Sequence, residues 1–377
     1  MRIVFTQFAP PFEHGLSEVD YLAYDDWYAR LRRHFAARGD EVAFVSQTLR
    51  RERLHLSWQG YQAYFFPVVN PGERQHDGRL WYRSPEAESW LESFQPDILH
   101  VVGTGTEMAP RFLQRARQAV AFLWERTMPS PTTLAWPEIA LCDYFLQPNT
   151  LALQSALAAG LPAERLFLLP LGADTDTFRP LELPRRYDLV SSGNLSSQKQ
   201  YHHVQRLVQE HRLSWLHAGG YVKGRPYSRW QDLLYSHNMR RLGLLRGLKR
   251  SRDGLVASAR FSHDRMPEVY NQGRLLVHPS VKEGTARAVQ EALACATPVV
   301  GLRQTLPWVE PEFGLVVDTI EELGQAVLAL LADPQRLAAM GRAGREWLLK
   351  NHSFAQLAAF VENLHRLPKK RSMPGCV

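Results

Sequence analysis

Cysteine is scarce in this chain. Cys142, Cys295 and Cys376 are the three in 377 residues, far apart and in no metal-binding spacing. So sparse a set points to a reducing compartment, the cytoplasm. Long hydrophobic runs are lacking as well. The longest, such as Leu166–Leu171, fall far short of the ~20 residues that a membrane-spanning helix needs. The chain enters the strand-like Arg2–Phe8 at once, without the apolar core or small-residue cleavage site of a signal peptide, so no leader is expected. Internal repeats and low-complexity tracts are also absent.

What is present suits a globular protein. Hydrophobic residues make up 45% of the sequence, and at roughly 100–200 residues per domain its length favours two or three domains. The net charge of +7 is unevenly spread. Lys223–Arg252 holds nine Lys/Arg and one acid, Asp232, so thirty residues carry +8. This segment reads either as a solvated helical face or as a grip on an anionic acceptor or membrane surface; the last alternative would make the protein peripheral to the inner face of the membrane. Nucleic acid is not an expected partner: Tyr227, Trp230 and Tyr235 are there, but no nucleic-acid module surrounds them.

Short apolar or β-branched runs alternate with helix-like segments from end to end. Thirteen strands are expected, among them Ile3–Phe8, Glu41–Ser46, Asp97–Val102 and Val120–Trp124 in the first half, and Asp188–Ser191, Ser214–His217, Leu275–His278 and Pro298–Gly301 in the second. Runs buried on both faces and separated by helices imply α/β architecture with parallel sheets built from right-handed βαβ units. The alternation restarts after Phe178-Arg179-Pro180, and Pro180–Arg186 has two prolines and no periodicity, as a linker would. The expected organisation is an N-terminal Rossmann-like domain over 1–180, a second over 181–352, and a helix and tail over 353–377 that crosses back to the first. Ser353 is the expected N-cap of that helix, and the basic end after Leu367 is expected to fray. Two such domains facing across a cleft suit an enzyme that joins two substrates while excluding water.

The most informative stretch runs from His278 through Glu283-Gly284-Thr285-Ala286-Arg287 and Glu291 to Pro298. It reads as strand, tight loop, helix and a second strand led by proline. Gly284 lets the chain turn closely, and Thr285, Ala286 and Arg287 would offer backbone N–H groups at a helix N-terminus, which is an anion site. Glu283 and Glu291 are eight apart. With Glu283 on the loop and Glu291 two turns into the helix, they would lie at two depths of one pocket, where carboxylates accept paired hydrogen bonds from sugar hydroxyls.

This stretch closely resembles the E-x7-E segment of the family 4 retaining glycosyltransferases of GT-B fold. Three other segments resemble that family in order: Leu169–Pro180 its "P-x-G-V-D-x-x-x-F-x-P" junction, Ser192–Lys199 its "G-R-L-x-x-x-K-G", and Met266–Tyr270 its "L-P-x-x-Y". The resemblance implies a UDP- or GDP-linked sugar as co-substrate, with no other cofactor. It implies that Glu291 bonds the donor ribose, that Glu283 meets the donor-sugar hydroxyls, and that the Gly284–Ala286 amides and Lys199 hold the diphosphate. Lys199 has a physical case of its own: glycosyl transfer builds negative charge on the leaving phosphate, and a fixed cation with helix N–H groups stabilises it. No metal is then required.

The sequence departs from the family in places. Asn194 stands where an arginine is usual, and Asn donates a hydrogen bond without charge; Arg287 or Arg260 is the candidate to compensate. Gln200 and Ala296 replace glycines. In the first half only Gly15 matches the family's Gly-rich first turn, and Glu125 follows the strand after which relatives carry a histidine. Gly15, His14 and Glu125 are the acceptor-side candidates. The reading is a retaining hexosyltransferase that moves a sugar from a nucleotide donor to a glycan, lipid-linked glycan or small molecule. Its rivals are a catalytically degenerate nucleotide-sugar-binding or partner subunit, favoured by the missing arginine and histidine, and a sugar-nucleotide 2-epimerase, against which the E-x7-E stretch argues.

Overall fold

A computed structural model describes residues 1–23, 27–70, 82–125, 134–170, 172–219, 249–251, 254–259 and 261–370. The chain forms two compact units, Met1–Leu171 with Leu357–Val377, and Gly172–Gln356. Among the described residues of the first unit eight strands form one sheet: β1 (Arg2–Gln7), β2 (Glu41–Thr48), β3 (Leu54–Trp58), β4 (Tyr61–Pro67), β5 (Ile98–Val102), β6 (Val120–Trp124), β7 (Tyr144–Gln147) and β8 (Leu166–Leu168). Their order is β3-β4-β2-β1-β5-β6-β7-β8. Every pair is parallel except β3 on β4. The central strands are apolar runs because both faces are covered; Ile3, Val4 and Phe5 are wholly buried. Helix Trp27–Ala37 lays Tyr28, Leu31 and Phe35 along one stripe, and the Phe5 ring meets Tyr28 edge-on at 5.2 Å.

The last helix, Phe354–Leu364, begins as expected: Ser353 Oγ accepts from the Gln356 amide at 3.3 Å. From Leu357 onward it belongs to the first unit. It buries Leu357, Val361 and Leu364 there, and Glu362 pairs with His34 at 2.7 Å. Beyond it the tail does not fray at once. Tyr144 donates to the Pro368 carbonyl at 2.5 Å, and the Lys370 amide donates to Asp143 at 2.7 Å. These bonds satisfy groups that a basic tail would otherwise leave to water.

Among its described residues the second unit holds seven strands: β9 (Tyr187–Ser192), β10 (Trp215–Ala218), β11 (Lys249–Ser251), β12 (Gly254–Ala259), β13 (Gly273–His278), β14 (Val299–Leu302) and β15 (Gly314–Val317). Their order is β11-β12-β10-β9-β13-β14-β15, parallel except β11 on β12. From β9 the chain goes to β10 on one side and later returns to β13 on the other, so β9 is the point where strand order reverses. Ligands of open parallel sheets bind at the carboxyl ends of strands beside such a point.

Pro180–Arg186 is no slack tether. The Leu181 amide donates to Asn271, and Arg185 reaches the carbonyls of Tyr270 at 3.0 Å and Gly273 at 2.6 Å and the Thr297 hydroxyl at 2.6 Å. Composition shows the prolines but not these long-range bonds.

Candidate functional site

The site grows from the carboxyl ends of β9 and β13. After β9 the chain turns at Gly193, whose φ of +142° favours glycine. A Cβ there would lie 3.1 Å from the Tyr201 hydroxyl and 3.6 Å from Lys199 Cε. Gly219, after β10, comes closer still: its Cβ would meet the Gly193 carbonyl at 1.9 Å. A single 3-10 turn, Ser197–Lys199, follows, then Gln200 at φ +51°, then helix Tyr201–His211. That helix is anchored by Tyr201, which is buried and donates to the Ser192 carbonyl at 2.8 Å.

The Gln198 carbonyl joins this turn to the loop after β13, accepting from the Val281 amide at 2.9 Å and from Ser280 Oγ at 3.3 Å. Lys199 and Glu283, 84 residues apart, are thereby brought into an ion pair between Nζ and Oε1. His278, the last residue of β13, places Nε2 at 3.1 Å from the same oxygen. The site is largely shielded from water; side-chain exposure is 22% for Lys199, 11% for Glu283 and 2% for His278. Burial raises the Glu283 carboxyl, but His278 and the Lys199 ammonium outweigh it and bring its pKa to about 2. Burial pushes His278 down, with Glu283 opposing and Lys199 adding to the effect. His278 is therefore neutral at pH 7, and Lys199 supplies the charge that Glu283 answers.

Glu291 lies in helix Arg287–Ala294, just over one turn in rather than two. Its Oε2 accepts from the Tyr270 hydroxyl at 2.7 Å. Burial and the neighbouring Glu291 push the Tyr270 phenol well up, so it stays a donor. The anion-site expectation for Arg287 needs correction at its backbone: the amide is spent on the Thr285 carbonyl at 2.8 Å, because the chain tightens there before the helix begins. Ala286 is buried as the N-cap, while Gly284, Thr285 and the Arg287 side chain are half-buried. Asn194 is exposed. Arg260 lies outside the described residues. Asp174-Thr175-Asp176 is an Asp-x-Asp pair that the metal-free reading passed over; Asp174 Oδ1 caps its own turn, accepting from the Asp176 and Thr177 amides at 3.1 Å.

The acceptor-side candidates belong to the first unit. Gly15, at φ +67°, closes the turn Pro11–His14 by donating to the Phe12 carbonyl. His14 stacks on Tyr21 at 6.2 Å. Glu125 is 4% exposed and accepts from Thr104 Oγ1 at 2.7 Å. His100, in the middle of β5, is structural: it is wholly buried, with Nδ1 accepting from Trp124 Nε1 at 2.9 Å.

Sequence reasoning missed three contributors. His278 opened the informative stretch and Tyr270 closed a matched motif, yet neither was singled out, because a buried partner leaves no periodic signal. His217 is the third. It is wholly buried at the end of β10, with Nδ1 at 2.8 Å from Ser191 Oγ, and burial takes its pKa to about 3.

Comparison with known proteins bears on the fold. Residues 203–333 match the family described as glycosyl transferases group 1. Sucrose-phosphate synthase from Thermosynechococcus elongatus superposes with a TM-score of 0.71 at 15% identity, over 97% of this chain and 98% of that one. HepE from Anabaena, solved with UDP and glucose, gives 0.70 at 14% identity over 97% and 100%. The likeness to these solved structures shows the GT-B fold. By sequence, a GDP-mannose-dependent alpha-(1-6)-phosphatidylinositol monomannoside mannosyltransferase of Mycolicibacterium smegmatis is 31% identical over 223 residues, which is 54% of this chain and 56% of that protein. A 2-deoxystreptamine glucosyltransferase of Streptomyces kanamyceticus is 34% identical over 101 residues, 26% of each chain. The chain thus spans about half the length, or less, of these two curated relatives.

Proposed function

We propose that the protein is a retaining glycosyltransferase that takes its sugar from a UDP- or GDP-linked donor bound in the second unit. The observation that carries this reading is the meeting of Lys199 and Glu283 beside β9, at the carboxyl ends of a parallel sheet. In the donor complex Lys199 turns to the diphosphate, where charge builds as the glycosidic bond to phosphate breaks. Glu283 accepts hydrogen bonds from the sugar hydroxyls, and Glu291, held by Tyr270, accepts from the ribose. No metal is needed for this division of labour. The leaving phosphate takes the acceptor proton on the same face, so no separate general base is called for. The acceptor is a glycan, a lipid-linked glycan or a small molecule; the relatives' names support both lipid and aminocyclitol acceptors. A binding subunit without turnover is the second reading, favoured by exposed Asn194 in place of a cation.

The test is a thermal-shift panel of nucleotides and nucleotide sugars, followed by assays of transfer and of slow donor hydrolysis. A ligand at 100 times its dissociation constant stabilises by ~2.7 kcal/mol. Lys199→Ala should cost on the order of 10²–10³ in turnover, the usual scale for one preorganised charge donor. Full activity in that variant would remove Lys199 from the site, and stabilisation without turnover would select the binding subunit.

A further inference from the structure

Two nitrogens reach one oxygen of Glu283, and they differ in freedom. Lys199 is partly exposed on a flexible stem. His278 is fixed, because it pairs with Gly301 of β14, where an added Cβ would lie 2.9 Å from the His278 carbonyl and 3.4 Å from its Cβ. Its Nε2 is buried without an aligned hydrogen bond, although Glu283 Oε1 is only 3.1 Å away. A buried polar nitrogen left in that state calls for an explanation. The ion pair supplies one: Glu283 is turned towards Lys199.

If this is a donor site, as proposed above, a bound diphosphate draws Lys199 away and strips Glu283 of its cation. We propose that His278 is a positioning residue that takes Glu283 over at that moment. Rotation of the carboxylate converts the unaligned contact into a hydrogen bond from Nε2–H, which holds Glu283 towards the donor sugar. His278 touches no substrate and acts only through Glu283. The resting pair and the donor-bound pair therefore use the same oxygen in turn, and the sugar-binding carboxylate is never left unheld.

The test compares His278→Gln, which places an amide N–H near Nε2, with His278→Asn, which places it near Nδ1, and with His278→Leu. Calorimetry on the full chain measures affinity for UDP and GDP alone and for their sugar conjugates; turnover gives KM and kcat. Nucleoside diphosphate, which also draws Lys199 away, should bind less tightly in the Asn and Leu variants but lose less than its sugar conjugate, because only the conjugate meets Glu283. Affinity for the nucleotide sugar should fall about 10- to 100-fold in the Asn and Leu variants, the loss expected for a hydrogen bond to a charged group, and largely return in the Gln variant. Wild-type nucleotide-sugar binding in His278→Asn would overturn the proposal, as would equal losses for nucleotide and nucleotide sugar. Should the Leu variant fail to fold, the Gln and Asn pair decides alone. If wild type binds neither UDP nor GDP, the donor reading itself fails and takes this role with it.

Discussion

Tyr270 and Glu291 form a small device with a large lever arm. A fully buried phenol, kept protonated by burial and by its partner, aims one carboxylate that would otherwise swing on a helix surface. Hydrogen bonds to charged groups contribute about 1.5–3 kcal/mol. Tyr270→Phe should therefore raise KM for the donor roughly tenfold or more while kcat changes less. Unchanged KM would leave Tyr270 as core alone. Two other residues occupy backbone that suits glycine: Ala296 has φ +54° and Gln200 φ +51°, the positions where the family resemblance led one to expect glycine. The departures are thus strained and not neutral. Left-handed backbone costs an L residue about 1–2 kcal/mol, and glycine gives back about 0.5–1 through its freer unfolded chain. Ala296→Gly should stabilise by about 0.5–1 kcal/mol in a denaturant titration; a loss would show that the methyl group's packing outweighs the strain.

At the scale of elements, the C-terminal helix is fastened by a bond that acid breaks. Trp124 donates to His100 Nδ1, so His100 carries its proton on Nε2 and donates to His365 Nε2 at 2.7 Å. Burial pushes both imidazoles down, His100 well below the usual range and His365 to about 4, with Asp40, Arg38, Glu362 and the N-terminal amine around the latter. Folded values below the unfolded 6.5 mean that the unfolded chain binds more protons in between. The stability is present above pH ~6.5 and lost as pH falls towards ~4. The melting temperature of wild type should drop across this window, and His365→Phe, which keeps the ring stack on Phe35, should show a flatter slope. Equal slopes would acquit the pair.

The same scale shows what the sequence could and could not tell. Strands covered on both faces were legible as apolar runs, and each of the thirteen expected strands is present, with ends displaced by a residue or two. The two that escaped, Leu54–Trp58 and Lys249–Ser251, are antiparallel edge strands. Leu54-His-Leu-Ser-Trp58 alternates between half-buried and exposed, a period-2 signal that a search for continuous runs passes over. Lys199, Glu283 and Glu291 were readable because their spacing resembles a family's. His278 and Tyr270 were not, because what makes them matter is the oxygen each one faces, and that is settled by strand register for His278 and by the packing of helix Met266–Gln272 on helix Arg287–Ala294 for Tyr270.

For the whole molecule, the basic stretch Lys223–Arg252 carries a prediction that rests on sequence alone, since residues 220–248 and 252–253 lie outside those described. Among the described residues no helix is long and apolar enough to cross a membrane. Clustered cations attract anionic lipid at ~1 kcal/mol each and are screened beyond a Debye length of ~8 Å. Co-sedimentation with anionic vesicles should fade as salt rises, while donor binding fades less. Equal binding to neutral vesicles, or none to either, would reduce the stretch to a solvated face or a grip on a soluble anion.

The return of residues 357–370 to the first unit has a consequence for synthesis. Domains generally fold as they emerge, N-terminal first. Here the leading unit waits: its β1–β8 sheet is made early, but the helix that packs on Phe167 and the imidazole that stacks on Phe35 and partners His100 arrive only after the second unit. The second unit, continuous in sequence, has everything it needs sooner. The order of maturation is therefore inverted, and a nascent chain halted after residue 356 carries a finished second unit and an unsealed first one. Chaperones have that interval in which to engage it.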